Sequence, residues 1–333
     1  MRVFEFIRPP DAAAAIAVAA QSKTAQQGAE VRFLGGGTTL IDLMKLNVET
    51  PARVLDVNRL PLNQIENTPD GGLKIGATVR NSDLANDAKV QRDYSVLSQA
   101  ILNGASPQIR NMATVAGNLL QRTRCPYFRD TAMPCNKREP GTGCPAITGT
   151  NRALAVLGTS EYCIATHPSD MCVAMAALEA TIHIQGPKGP SAIPMAKFHL
   201  LPGSTPDRET MLEPGDLITY VTVPPLIEKS KQAYLKLRDR GSYEFALASA
   251  AVVITISSGK IRRARVALGG VGTKPWRSPE AEAALDGKAA NDASFRHAAE
   301  AAMHGAKPQS ENKFKIELAK RCLTQALRMA AAS

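Results

Sequence analysis

The residues best suited to chemistry in this sequence are four cysteines within one short segment. They are Cys125, Cys135, Cys144 and Cys163, with the spacing C-x9-C-x8-C-x18-C. The segment is rich in proline and glycine, lacks regular periodicity, and directly follows the small-residue stretch GASPQIRNMATVAGNLL. Thiolates bind soft metals or pair as disulfides. A cysteine-rich, non-helical segment directly after a ligand-type loop suggests two redox centres side by side.

The cysteine spacing leaves several kinds of site open. It is not the spacing of ferredoxins, and it lacks the C-x2-C pairs of zinc ribbons. Free structural thiols, a zinc site, disulfides and an iron–sulfur cluster all remain possible interpretations. The other two cysteines, Cys172 and Cys322, lie in apolar helical patterns and are interpreted as core thiols. His167 is an alternative metal ligand.

Two small-residue loops are candidates for binding a phosphorylated ligand. The first is the glycine run in VRFLGGGTTLIDLMKL, residues 31–46, and the second is ATVAGN, residues 113–118. Glycines allow a ligand to approach the backbone closely, and amides at a helix N-terminus attract anions. Neither loop matches the GxGxxG or P-loop pattern. A plain turn before a helix is the alternative for the first loop, but two such loops suit a long ligand with a diphosphate, such as FAD.

The elements that must position these loops form a mixed α/β pattern. Strands are predicted at residues 3–7, 31–34, 53–57, 73–75, 181–184, 216–223, 246–257 and 260–268. Helices are predicted at residues 12–21 with Asp11 as cap, 40–46, from about 81, 94–102, 171–180, 280–285, 290–302 and 312–332. Residues 227–232 are predicted to be a polar linker. We therefore expect a mixed α/β part followed by a smaller α+β part.

Four motifs together resemble a known family. FLGGGTTLIDLMK, IGATVRNSDL, SPQIRNMATVAGNL and HPSDM are similar to the FAD-binding (medium) subunit of the molybdenum hydroxylases, the xanthine oxidase family. The resemblance implies a vanillyl-alcohol-oxidase (PCMH)-type FAD-binding domain at residues 1–225, with subdomains at 1–58 and 59–225. It implies a cysteine-rich insertion at about residues 121–165, and a C-terminal domain of the CO-dehydrogenase flavoprotein type at residues 231–333.

The same resemblance implies which residues contact FAD. The glycine loop would bind the diphosphate, the second loop would line the flavin and diphosphate, and Asp170 would bind the ribityl or diphosphate region. Leu217 would pack on the flavin and Lys236 would lie near its edge; a helix cap for Asp170 and a solvated strand charge for Lys236 are the alternatives. The full set is Gly35, Gly36, Gly37, Thr38, Thr39, Ala113, Thr114, Gly117, Asn118, Asp170, Leu217 and Lys236.

The insertion departs from the common pattern of the family and resembles one subfamily. That subfamily includes 4-hydroxybenzoyl-CoA reductase and some bacterial aldehyde oxidoreductases, and its insertion carries a [4Fe–4S] cluster. The resemblance thus implies Cys125, Cys135, Cys144 and Cys163 as cluster ligands. Nearby basic residues would stabilise a negatively charged cluster; these are Arg122, Arg124, Arg129, Lys137 and Arg138.

The function implied by the resemblance is electron transfer within a heterotrimer. A large molybdopterin-binding subunit would oxidise an aldehyde with water to a carboxylic acid, a small subunit would carry [2Fe–2S] clusters, and this chain would pass electrons from FAD to an external acceptor. No catalytic residue for the substrate is expected here. A subunit of a 4-hydroxybenzoyl-CoA reductase-like or xanthine dehydrogenase-like enzyme is the first alternative, and a non-catalytic assembly subunit is the second.

Composition limits the remaining function classes. The 333 residues include 40 Lys and Arg against 30 Asp and Glu, for a net charge of +10. The basic residues are dispersed, which favours a solvated surface or a docking face for an acidic partner over a nucleic-acid site. We expect no membrane span and no secretory signal. The expected location is the cytoplasm, or the periplasm by co-export with a signal-bearing partner.

Overall fold

A parallel three-stranded sheet, seen in the computed structural model, forms the N-terminal part of the chain. The structure describes residues 1–227 and 229–332. The strand order is β1-β3-β2, and the glycine run lies directly after β2, where the chain turns into α2. The cap predicted at Asp11 is present, because its Oδ1 accepts from the Ala14 amide at 2.8 Å. The elements are β1 (Glu5–Ile7), α1 (Ala12–Ala19), β2 (Val31–Leu34), α2 (Leu40–Lys45) and β3 (Arg53–Asp56).

A five-stranded antiparallel sheet forms the second unit. Its order is β4-β5-β8-β6-β7, so strands from distant parts of the sequence are neighbours. The strands are β4 (Ile65–Asn67), β5 (Leu73–Gly76), β6 (Thr181–Gly186), β7 (Gly189–Pro194) and β8 (Leu217–Val223). The strand β7 was not predicted from the sequence, where Gly-Pro-Lys-Gly-Pro at residues 186–190 indicated only a turn. Prolines are tolerated there because β7 is at the edge of the sheet.

Short helices and one buried helix fill the sequence between β5 and β8. They are α3 (Asn81–Asn86), α4 (Ala88–Asp93), α5 (Ser95–Asn103), α6 (Pro107–Met112), α7 (Val115–Leu119), α8 (Pro126–Arg129), α9 (Asp170–Ala177) and α10 (Met195–Phe198). All eight residues of α9 are buried. Ser169 caps this helix by accepting from the Cys172 amide at 3.1 Å, so Asp170 is not the cap.

The C-terminal part combines an antiparallel sheet with three helices. The sheet order is β12-β11-β10-β9, and the predicted hairpin is confirmed by the pairing of Ser257 with Lys260. The predicted linker is partly wrong, because Lys231 and Gln232 already belong to β9, while Glu228 lies outside the described residues. The elements are β9 (Lys231–Leu237), β10 (Ala248–Ser257), β11 (Lys260–Gly269), β12 (Trp276–Arg277), α11 (Pro279–Leu285), α12 (Asp292–Ala302) and α13 (Phe314–Ala332). Across the described ranges, no helix combines the length and apolar character that a membrane crossing requires.

The far end of the cysteine-rich segment is attached to the C-terminal helix. Lys315 is fully buried, and its ammonium donates to the carbonyls of Ala153 at 2.9 Å, Leu154 at 3.0 Å and Gly270 at 2.5 Å. An ammonium group has three donors, and here each of them has an acceptor. The segment itself contains only α8 and a 3-10 turn over Pro145–Ile147 among its described residues, as its composition indicated. Its shape therefore depends on such side-chain contacts rather than on regular backbone hydrogen bonds.

Candidate functional site

The glycine loop after β2 presents a row of unpaired backbone amides. In the part of the chain that the structure describes, the amides of residues 36–39 have no hydrogen-bond acceptor. Gly37 has a φ of 73°, a left-handed conformation that glycine adopts without strain. Successive free amides attract an anion such as a diphosphate. This part of the site thus has the chemistry that the sequence predicted.

The same glycines also allow the two loops to interlock. A Cβ atom on Gly36 would lie 2.0 Å from the Met112 carbonyl oxygen, and one on Gly35 would lie 2.6 Å from the Thr114 hydroxyl. Backbone atoms at such a distance cannot be accommodated without moving one loop. The absence of a side chain at Gly36 is therefore required by the packing of the second loop, a reason that the sequence did not reveal.

The second loop is held by its own polar side chains. The Thr114 hydroxyl accepts from the Gly117 amide at 3.2 Å and caps α7. The Asn118 side-chain oxygen Oδ1 accepts from the Ser169 hydroxyl at 2.7 Å. These groups, which the resemblance assigned to a ligand, also fix the loop to the start of α9. The loop is consequently preorganised without a ligand.

Two adjoining clefts bring all the predicted FAD-contacting residues together. Their volumes are about 1240 Å³ and 1560 Å³ with the solvent at their mouths included, and Thr38, Thr39 and Gly117 line both. The first cleft is also lined by Gly35, Gly36, Gly37, Thr114 and Leu217. The second is also lined by Ala113, Asn118, Asp170 and Lys236. Because the two clefts share lining residues, they form one continuous space that is large enough for a dinucleotide-sized ligand.

Orphaned polar atoms in the cleft walls also fit a bound cofactor. The Thr78 hydroxyl and the Asn81 side-chain oxygen Oδ1 are buried and have no hydrogen-bond partner among the described residues. Thr78 lines the first cleft and Asn81 lines the second. Buried polar groups without a protein partner are unusual unless a ligand or water satisfies them. Neither residue was in the predicted set, although both lie in the IGATVRNSDL motif.

Asp170 and Lys236 form a buried ion pair at the wall of the second cleft. The Lys236 ammonium lies 2.8 Å from Asp170 Oδ2, and the Tyr234 hydroxyl donates to Asp170 Oδ1 at 2.5 Å. The Lys236 side chain is 1% exposed, so it is not a solvated strand charge. Burial, reinforced by the Asp170 carboxylate, raises the pKa of Tyr234 well above 10. Tyr234 therefore stays a hydrogen-bond donor, and the pair fixes α9 against β9.

The four cysteines of the insertion converge on one small cavity. Cys125, Cys135, Cys144 and Cys163 all line it, together with Lys137 and apolar side chains. All six cysteines of the chain are free, which removes the disulfide interpretation. Burial raises the pKa of Cys125 to about 12 and also raises the pKa values of Cys144 and Cys163. Because burial disfavours thiolates, these cysteines are neutral thiols unless a cation binds in the cavity.

The basic residues near the cysteines are mostly committed to other partners. Arg124 and Arg129 pair with Asp42, and Arg138 donates to backbone carbonyls such as that of Tyr127 at 2.8 Å. Only Lys137, of the five residues predicted to stabilise a cluster, lines the cysteine cavity. The arginines lie outside the lining of this cavity and make ion pairs or donate to carbonyls, so their predicted role beside a cluster stays a prediction.

A partly buried charge network that the sequence did not reveal lies beside the cysteines. Arg122 pairs with both Glu49 and Glu209, and Lys137 lies 2.9 Å from Glu209. Arg122 also lines the first cleft. The partners are far apart in the sequence, by 73 positions for Arg122 and Glu49 and by 72 positions for Lys137 and Glu209. No local pattern could have indicated such pairs.

Comparison with known proteins identifies the family. A family sequence model described as the FAD binding domain in molybdopterin dehydrogenase matches residues 2–226. A second, described as the CO dehydrogenase flavoprotein C-terminal domain, matches residues 232–330. The fold and the site are those of a flavin-binding oxidoreductase subunit. The chain belongs to the FAD-binding subunits of the molybdenum hydroxylase family, which confirms the resemblance and the mixed α/β fold.

Individual relatives agree with this family. The chain is 52% identical over 307 residues to the aldehyde oxidoreductase FAD-binding subunit PaoB of Escherichia coli, covering 91% of this chain and 92% of that protein. It is 29% identical to the glyceraldehyde dehydrogenase medium chain of Sulfolobus acidocaldarius, covering 78% and 75%. A chain from the solved structure of carbon monoxide dehydrogenase of Hydrogenophaga pseudoflava superposes with a TM-score of 0.77 at 27% identity, covering 99% and 98%.

The interlocked loops make Gly36 sensitive to the smallest side chain. We expect Gly36→Ala to reduce flavin content and to destabilise the fold by about 1–3 kcal/mol, because the new Cβ overpacks against Met112. Flavin absorbance per chain and urea unfolding measure both effects. Gly241→Ala is the matched control, since a Cβ there meets nothing within 4 Å. Wild-type flavin content and stability in Gly36→Ala would contradict the interlocking.

The buried ion pair between Asp170 and Lys236 predicts that removing one of the two charges destabilises the fold. We expect Lys236→Met to lower the free energy of unfolding by about 3–5 kcal/mol, because it leaves the Asp170 carboxylate buried without its cation. Lys231→Met, on the same strand but at a partly exposed position, should change it little. Chemical denaturation compares them. Adding Asp170→Asn to Lys236→Met should restore part of the loss; a double variant as unstable as the sum of both singles would refute the pairing.

Proposed function

We propose that this chain is the FAD-binding, electron-transferring subunit of a molybdenum-dependent aldehyde oxidoreductase. The proposed reaction of the whole enzyme is aldehyde plus water to carboxylic acid. The observation that carries this proposal is the 52% identity, over 91% of the chain, to a protein named as an aldehyde oxidoreductase FAD-binding subunit. Other relatives are named for enzymes of glyceraldehyde and of carbon monoxide, and they are only 29% and 26% identical to this chain. We therefore take the proposed substrate class from the relative with 52% identity.

The proposed assembly is a heterotrimer. Several relatives are named medium chains, a name that supports larger and smaller companion chains. A large subunit would carry molybdopterin and the aldehyde pocket, and a small subunit would carry [2Fe–2S] clusters. The dispersed positive charge of this chain, +10 overall, suits contact with acidic partner surfaces.

The chain's own residues would hold FAD in the two clefts. The free amides of residues 36–39 would bind the diphosphate, and Thr78 and Asn81 would gain the hydrogen bonds that they lack in the protein alone. Bound FAD would supply the redox chemistry, by accepting electrons that originate at molybdenum and releasing them to an external acceptor. The Asp170–Lys236 pair would keep the second cleft in shape around it.

We further propose that the cysteine cavity holds a [4Fe–4S] cluster. Four cysteines line one cavity, and four cysteine thiolates are the usual ligand set of a [4Fe–4S] cluster. Such a cluster would supply one-electron chemistry next to the flavin cleft. Lys137, buried between Cys163 and Glu209, would contribute the nearest positive charge.

The proposed function predicts a specific pattern of activity. The purified complex should oxidise an aromatic aldehyde with an artificial electron acceptor, whereas the isolated chain should bind FAD without turning over aldehyde. Steady-state assays compare the aldehyde with an acyl-CoA and with xanthine as substrates. Turnover of the acyl-CoA or xanthine in place of the aldehyde would replace the proposed substrate class. A chain purified without flavin absorbance would contradict the electron-transfer role.

The proposed cluster predicts which cysteines hold iron. Cys125→Ser, Cys135→Ser, Cys144→Ser and Cys163→Ser should each lose iron and acid-labile sulfide, from about four of each per chain. Cys322→Ser is the matched control, because that thiol is equally buried but lies in α13. Iron and sulfide analysis measures the outcome. The cluster proposal would be overturned by zinc in place of iron in the wild-type cavity. It would also be overturned if a variant of any of these four cysteines, the cysteine quartet, retained its iron.

A further inference from the structure

Three metal-ligating side chains from separate segments meet in the core next to the cysteine segment. His167 lies just after the insertion, Cys172 lies in the first turn of α9, and His199 directly follows α10. Their ligand atoms all lie within 4.8 Å of one another. None of the three belongs to the cysteine quartet or to the predicted FAD-contacting set. In the described part of the chain, this is the one His, Cys, Asp or Glu group with such close ligand atoms.

The hydrogen bonds of the two histidines leave one nitrogen of each ring unused. His199 Nε2 donates to the Leu119 carbonyl at 2.9 Å, so its Nδ1 carries a free lone pair. The Ser169 amide approaches His167 Nδ1 at 3.4 Å, a long contact. His167 Nε2 and His199 Nδ1 are both buried and lack a partner among the described residues. Donation of the second ring nitrogen to a backbone carbonyl, as in His199, is typical of metal-binding histidines.

Binding of a cation would change the hydrogen atoms of two of these groups. Ligation at His167 Nε2 places the ring proton on Nδ1, in exchange for the long contact with the Ser169 amide. A coordinating thiol loses its proton to the metal, so Cys172 would bind as a thiolate. His199 needs no such change, because its Nε2 already donates to the Leu119 carbonyl and leaves the Nδ1 lone pair free.

We propose that His167, Cys172 and His199 bind a single zinc-class divalent cation. Two imidazoles and one thiolate are ligands that zinc prefers, whereas magnesium and calcium prefer oxygen. Both histidines also line a cavity, which leaves room for a water molecule at a fourth position. The site is independent of the proposed aldehyde chemistry and of the proposed iron–sulfur cluster.

The ion would connect the insertion to the second flavin loop. His199 is hydrogen bonded to Leu119, the last residue of α7, and the Cys172 thiol lies 3.9 Å from the Asn118 carbonyl oxygen. His167 joins the segment that ends the insertion to these two contacts. A single ion thus holds the exit of the cysteine segment, the buried helix α9 and the flavin loop at fixed positions.

Metal analysis of the full-length chain tests the proposal without relying on activity. Protein expressed in zinc-supplemented medium should contain about one zinc per chain, in addition to any iron. X-ray absorption at the zinc edge should show nitrogen ligands at about 2.0–2.1 Å and one sulfur at about 2.3 Å. Absence of zinc would overturn the proposal, and so would a shell of four sulfurs, which would place the zinc in the cysteine quartet.

Variants separate this site from the quartet. Cys172→Ser and His199→Gln should lose zinc and retain iron, whereas Cys125→Ser should lose iron and retain zinc. Cys322→Ser, a buried thiol away from both sites, should retain both metals. Circular dichroism checks that each variant is folded. If a variant does not fold, the X-ray absorption spectrum of the wild-type protein at the zinc edge still tests which atoms bind the zinc. Zinc retained in folded Cys172→Ser and His199→Gln would refute the assignment.

Discussion

The buried carboxylate of Asp170 is the constraint on which the flavin-binding half of the molecule depends. It begins α9, a helix without an exposed residue, and it receives both the Lys236 ammonium and the Tyr234 hydroxyl from β9. Lys236 also donates to the Asn103 carbonyl at the end of α5 at 3.1 Å. A carboxylate buried this deeply is costly unless it is fully paired. Its partners therefore fix three elements from both domains at the wall of one cleft.

The sequence predicted the local parts of this arrangement and not its long-range pairs. Residues 31–34 form the predicted strand, and the hairpin at Ser258 and Gly259 follows from its turn residues. The resemblance placed Asp170 and Lys236 near the flavin, but not against each other, because 66 positions separate them and no periodic pattern joins them. The edge strand β7 was missed because its prolines are typical of turns. The cysteine spacing left the kind of site open and the resemblance implied a cluster, whereas only the fold shows that all four thiols reach one cavity.

A continuous set of partly buried charges connects the flavin cleft with the cysteine cavity. Arg122 lines the first cleft and pairs with Glu209, which pairs in turn with Lys137 at the cysteine cavity. Each charge has an opposite partner, as burial requires. Gly36 likewise has two effects, because it lets the two loops interlock and leaves the amides of residues 36–39 without a side chain in front of them. A side chain at Gly36 would therefore disturb both the packing of the loops and the access to these amides.

The attachment of the cysteine segment to α13 also couples the folding of the two domains. Leu154 is held by the Lys315 ammonium and by the Asn312 amide. Further along the segment, the Val156 amide donates to the Val271 carbonyl oxygen at 2.9 Å, just after β11. Irregular backbone that takes its partners from another domain cannot complete its hydrogen bonds until that domain has packed against it. The cysteine segment should therefore reach its final shape late in folding, after the C-terminal sheet and α13 have formed.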